Sequence, residues 1–142
     1  MQAEAARRGY TVAIVSADMD AARQKDQVND FIARKVAAII LCPADSRAVG
    51  TSIRAANQAG IPVFTADIAC LDPEARVVSH IATDNFAGGK LAAQGMIEAL
   101  RGKGKVAIID HPEVESVIQR TKGFRQGIAG TPGIQVVAQL PG

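Results

Sequence analysis

Ala55-Ala56-Asn57-Gln58-Ala59-Gly60-Ile61-Pro62-Val63, then Asp67, then Val78-Ser79-His80-Ile81-Ala82-Thr83-Asp84-Asn85, is the stretch that decides the fold. An alanine-rich helix stops at Gly60, the residue type that most easily adopts the left-handed turn ending a helix. A short apolar strand follows, and Asp67 stands just beyond its last apolar position. A second short strand runs into Thr83-Asp84, a helix-start signal. In an open α/β sheet, ligands bind outside the carboxyl ends of the strands, which is where such an aspartate sits.

The same alternation extends in both directions. Residues up to Arg8 read as the tail of a helix closed by Gly9, and Tyr10–Val15 as a strand rich in β-branched residues. Asp18 and Asp20 offer caps to a helix over Ala21–Arg34, where Val28, Phe31 and Ile32 recur at helical spacing. Val36–Leu41 is a continuous apolar run, as expected of a parallel strand buried on both faces. Pro43–Ser46 is a turn whose Asp45 or Ser46 caps a helix over Ala48–Ala59. Ile61–Ala66 reads as a strand, Asp67–Arg76 as a polar loop and Val77–Ala82 as a strand. Asn85–Leu100 is a helix, Lys105–Ile109 a strand, Glu115–Ile128 a helix and Gln135–Leu140 a last strand. A βα unit every 25 residues or so gives the fold class: α/β, a doubly wound parallel sheet. A boundary is expected near Ile81–Asp84, dividing residues 1–82 from 83–142. The chain opens inside a helix and stops directly after a strand, so it reads as a fragment.

Composition excludes several functions. The 142 residues carry 16 basic and 14 acidic side chains, net +2, with the signs interspersed. That leaves no electrostatic footprint for nucleic acid or an anionic membrane. Aromatic residues are scarce, at 4%, for a protein that stacks bases or sugar rings by itself. Met1–Arg8 is charged and has no apolar core, so it is not a signal peptide. Cys42 and Cys70 match no metal or redox spacing and read as free thiols, although a disulfide between two strand ends is conceivable. Gly88-Gly89-Lys90 lies inside a helical pattern, where it permits close helix packing, and Gly102–Lys105 is a turn. Neither has the strand-to-helix context of a phosphate or dinucleotide loop. His111 and Glu113 lack metal-ligand spacing, and no serine stands in a nucleophile elbow. Neither cofactor nor metal is expected, and no catalysed reaction.

Four positions carry candidate chemistry. Asp67 accepts two hydroxyl hydrogen bonds, as a polyol demands, or caps its own loop; the residues alone leave these readings even. Asn85 belongs to a helix start and has an amide to offer a cleft. His80 reads as a structural histidine within a strand. Arg120, near the start of its helix in Arg120-Thr121-Lys122-Gly123-Phe124, is either solvated surface or a fork for two hydroxyls or a carboxylate at the sheet's ligand edge.

Three strings resemble the ribose-type periplasmic binding proteins: Pro43-Ala44-Asp45-Ser46-Arg47-Ala48-Val49, Ala55 through Val63, and Val78 through Asn85 followed by Gly88-Gly89-Lys90. The resemblance covers nearly the whole chain. It implies two α/β lobes joined by crossover strands, a sugar bound between them, and delivery of that sugar to the membrane subunits of an ABC importer. It also implies a periplasmic location. By position, Asp67 resembles the family's hydroxyl-binding aspartate and Arg120, in its Arg-x-x-Gly-Phe setting, the second lobe's sugar-binding arginine. Thr83, Asp84 and Asn85 fall just past the first crossover.

Two positions depart from the ribose pattern. Ile68 stands where ribose binders carry an arginine after the aspartate, and Cys42 where they carry an asparagine before the proline. Losing a guanidinium and an amide changes the polar pattern offered to a ligand. The resemblance also puts the family's first strand and its aromatic-bearing loop ahead of Met1. The expectation is two incomplete lobes: a first lobe lacking its opening strand and the first part of a second. An open edge on Tyr10–Val15 and Val36–Leu41 then leads to self-association, or to rearranged pairing of those two strands. The sensor core of a lactose-repressor-like regulator shares the fold and is the alternative function. A flavodoxin-like enzyme is disfavoured by the missing phosphate loop.

Overall fold

A computed structural model describes residues 2–142. After a short helix α1 (Gln2–Arg7), helix α2 (Ala21–Ala33) begins at Asp20, whose carboxylate accepts a hydrogen bond from the Arg23 amide at 2.9 Å. Strand β1 (Ile39–Leu41) and helix α3 (Val49–Gln58) follow. Asp45 caps the turn that leads into α3, accepting from the amides of Arg47 and Ala48, both at 2.7 Å. At its far end Gly60 takes φ 73°, and the amides of Gly60 and Ile61 return to the carbonyls of Asn57 and Ala56. This is a Schellman closure, and it turns the chain straight into strand β2 (Val63–Ala66).

Strands β1, β2 and β3 (Ser79–Ile81) form a parallel sheet in that order. One face, from Ile39, Leu41 and Val63, packs with Val28 of α2 and Val49, Ile53 and Ala56 of α3 into the larger core. Thr65, on that face by register, is 1% exposed and hydrogen-bonds the His80 ring at 2.9 Å, so His80 has the structural partner expected of it. The opposite face is open: Ile40 is 53% exposed and Ile81 69%. The expectation that Val36–Leu41 is buried on both faces is therefore corrected. The run shortens to three paired residues, and α2 and α3 cover only one side.

Residues 10–16 form no strand. The β-branched pattern makes them extended in tendency, but a strand also needs a hydrogen-bonded neighbour. β1 pairs with β2 and residues 10–16 join no ladder, so no rearranged pairing of Tyr10–Val15 forms among the described residues.

Helix α4 (Asn85–Ala99) starts at Asp84, which accepts from the Ala87 amide at 2.9 Å. Strand β4 (Gly104–Asp110), helix α5 (Glu115–Ile128) and strand β5 (Ile134–Pro141) complete the chain. β4 and β5 pair in parallel, with a bulge that leaves Val137 without a partner. Ala93, Val106, Ile128 and Ile134 form a second, smaller core. α4 and α5 cross at glycines. A Cβ on Gly89 would overlap the Arg120 carbonyl oxygen, and one on Gly123 the Phe86 carbonyl oxygen. Gly89 thus permits the close packing expected of Gly88-Gly89, whereas Gly88 faces open space.

Candidate functional site

The carboxyl ends of β1 and β2 lie side by side, because Leu41 is in register with Thr65. The residues just past them are Cys42 and Asp67 with Ile68. Asp67 is exposed and takes φ 63°, the left-handed conformation that short polar side chains tolerate. Its amide donates to the Ile81 carbonyl of β3 at 2.9 Å, and the Ile68 amide to the Ala66 carbonyl at 2.8 Å. These two bonds fix the direction of the turn while leaving the carboxylate in solvent. Ile68 is 6% exposed.

Cys42 is held from behind. The Gln24 side chain of α2 donates to the Cys42 carbonyl at 2.9 Å and accepts from the Ala44 amide at 3.0 Å. Burial pushes the Cys42 thiol up from its ordinary pKa, the Asp67 charge pushes it further, and the Ile68 N–H partly opposes both. The structure thus brings Cys42, Asp67 and Ile68 together. Both cysteines are free thiols. A thiol raised by a neighbouring carboxylate ionises more readily once that charge is gone. Asp67→Asn should accordingly speed iodoacetamide alkylation of Cys42 at pH 8, with Cys70 unchanged, when followed by peptide mass mapping. Equal Cys42 rates in the two proteins would mean that thiol and carboxylate are not neighbours.

Arg120 lies in the second turn of α5, exposed and without an ion pair among the described residues. Asn85 opens α4 at 6% exposure, and its Oδ1 is buried with no hydrogen-bond partner among the described residues. Both sit at the α4–α5 crossing, where Arg120 faces Gly89 and Asn85 precedes Phe86. Neither is hydrogen-bonded to Cys42, Asp67 or Ile68 among the described residues.

One residue joins the two groups. Ser46, in the turn after β1, is fully buried. Its amide donates to the Glu113 carbonyl at 3.0 Å, and its hydroxyl accepts from the Glu115 amide at 2.9 Å. The turn after β1 is thereby bonded to the turn after β4, so the carboxyl edges of both sheets face one another. Sequence reasoning offered Ser46 only as a helix cap. The local signal was Asp45 next to it, which takes that role and frees the serine. Also missed was a polar relay on the second sheet: Asp110 accepts from Gln139 at 2.6 Å, and Gln139 accepts from Arg125 at 2.5 Å.

Comparison with known proteins fits this arrangement. The chain is 34% identical over 125 residues to the ribose import binding protein of Bacillus subtilis, covering 87% of this chain and 40% of that one. It is 31% identical over 132 residues to the D-apiose import binding protein of Actinobacillus succinogenes, covering 92% and 42%. A galactofuranose-binding protein of known structure superposes with a TM-score of 0.90 at 26% identity, over 99% of this chain and 48% of that one. The chain thus spans about two fifths of the length of these curated relatives. The description "periplasmic binding protein domain" matches residues 1–142, and with facing parallel α/β sheets whose carboxyl edges carry the polar residues, the chain belongs to that family.

Proposed function

We propose that this chain is part of the substrate-binding component of a sugar ABC importer, and that it contributes to holding a monosaccharide or polyol between two lobes. Residues 1–82 form one lobe's share and 83–142 the other's. The observation that carries the reading is the Asp67 carboxylate, exposed beside Cys42 at the carboxyl edge of β1 and β2. Asp67 accepts hydrogen bonds from two ligand hydroxyls, and Arg120 donates a fork from the other side. The unpartnered Oδ1 of Asn85 accepts from a donor that reaches the start of α4. With Ile68 buried where ribose binders carry a guanidinium, and Cys42 where they carry an amide, this edge offers fewer polar groups, which favours a ligand other than ribose. The relatives are import binding proteins, which supports transport over the repressor core. In this reading the site binds and releases without catalysis, in the periplasm, and hands the sugar to importer membrane subunits.

Two charged groups forming hydroxyl hydrogen bonds give weak binding, with a dissociation constant of about 1 mM. Saturation-transfer NMR with a panel of pentoses, hexoses and polyols should detect it in the 142-residue chain. Transfer to no member of the panel would overturn the reading.

The open edge of β1 and the exposed face carrying Ile40 and Ile81 favour association between copies. Light scattering should give a mass of at least two chains, which falls toward one on dilution. A monomer at every concentration would refute self-association.

A further inference from the structure

Helix α5 begins without a cap of its own. Its N-cap residue is Val114, which has no side-chain acceptor, so the first amides of the helix need an oxygen from elsewhere. The Glu115 amide finds one in Ser46 Oγ, 69 residues away along the chain and part of the other sheet's edge. Every backbone group of Ser46 is also engaged. Its amide donates to the Glu113 carbonyl, and its carbonyl accepts from the Leu71 amide at 2.7 Å. Three loops, after β1, after β2 and after β4, meet at this one buried residue. Ala44, Ile68 and Val114 are buried at 5%, 6% and 3% exposure, yet belong to neither core cluster.

We propose that Ser46 is a latch between the two sheets, a positioning residue that caps α5 across the cleft and so sets where Arg120 stands relative to Asp67. The latch stands apart from the sugar-binding reading; only its consequence for Arg120 and Asp67 rests on that reading. Its mechanism is simple. The hydroxyl accepts from an amide that has no other partner among the described residues, so separating the sheets exposes that amide to water. Two hydrogen bonds and a small apolar seam are few enough to open while both cores stay folded. Opening and closing therefore turn on this contact rather than on the unfolding of either unit.

Amide hydrogen exchange on the 142-residue chain tests the latch without any sugar. In the native chain the amides of Ser46 and Glu115 should exchange together. They should be slower than unstructured amides but faster than those of Thr65 and Ala93 in the two cores. Ser46→Ala should speed Glu115 exchange about tenfold, the loss of roughly one hydrogen bond, and leave Thr65 and Ala93 unchanged. An unprotected Glu115 amide in the native chain would overturn the proposal. So would Ser46 and Glu115 exchanging only with the cores, or a variant that moves all four rates equally. The native-chain measurement stands even where the variant does not fold.

Discussion

Gly123→Ala should lower the melting temperature by roughly 10 °C, a loss of about 3 kcal/mol, as measured by circular dichroism. The new methyl group would meet the Phe86 carbonyl oxygen, a backbone atom in the first turn of α4 that has no rotamer through which to yield. The helices would have to move apart. Ala93, 0% exposed, would lose its packing in a core of only four buried residues. A core this small has no reserve of buried area to absorb the change. Gly88→Ala is the control on the facing helix. It lies in α4 and faces open space, so the alanine should raise stability by about 0.5–1 kcal/mol through helix propensity alone. Equal effects from the two substitutions would show that the crossing is not as close as described.

The second large effect is functional. Asp67→Gly should abolish the saturation transfer seen with the unsubstituted chain while leaving the melting temperature unchanged or slightly raised. Asp67 holds φ 63°, a conformation that costs an L residue roughly 1 kcal/mol and a glycine almost nothing. Glycine thus relieves backbone strain and removes the carboxylate in one step. A structural cap would behave in the opposite way, because its removal costs stability. The Asp67 carboxylate accepts no hydrogen bond within its own loop, unlike Asp45, Asp20 and Asp84 at their helix starts. Sugar binding that survives Asp67→Gly would assign the aspartate to the turn and not to the ligand.

Much of the architecture was legible residue by residue. The α5 bounds agree with the sequence reading at both ends, and α2, α3 and α4 agree to within one residue at each end. α2, α3 and α4 announce themselves through Asp20, Asp45, Asp84 and Gly60, where the hydrogen bonds reach only two to five residues along the chain. Strands were less legible. Tyr10–Val15 has the same β-branched composition as a strand but pairs with none, and Val36–Leu41 narrowed to Ile39–Leu41. A ladder is a relation between segments, and composition describes one segment at a time.

The candidate site divides along the same line. Asp67 drew notice because it follows the last apolar residue of a strand, and Cys42 only through the family resemblance; β1–β2 register then sets them side by side. Ser46 was not readable as a latch. Its sequence neighbourhood says helix cap, and only the approach of Glu113–Glu115 from 69 residues away shows which helix it caps. By itself the sequence determined the helices, the turns and the acidic residue at the strand end, since these depend on forces acting within one or two turns of chain. Tertiary structure alone decided which sheet faces stay open, which glycines bear the helix crossing and which serine joins the two sheets. Those depend on the close approach of segments distant in sequence, where a single methyl group or hydroxyl sets the outcome.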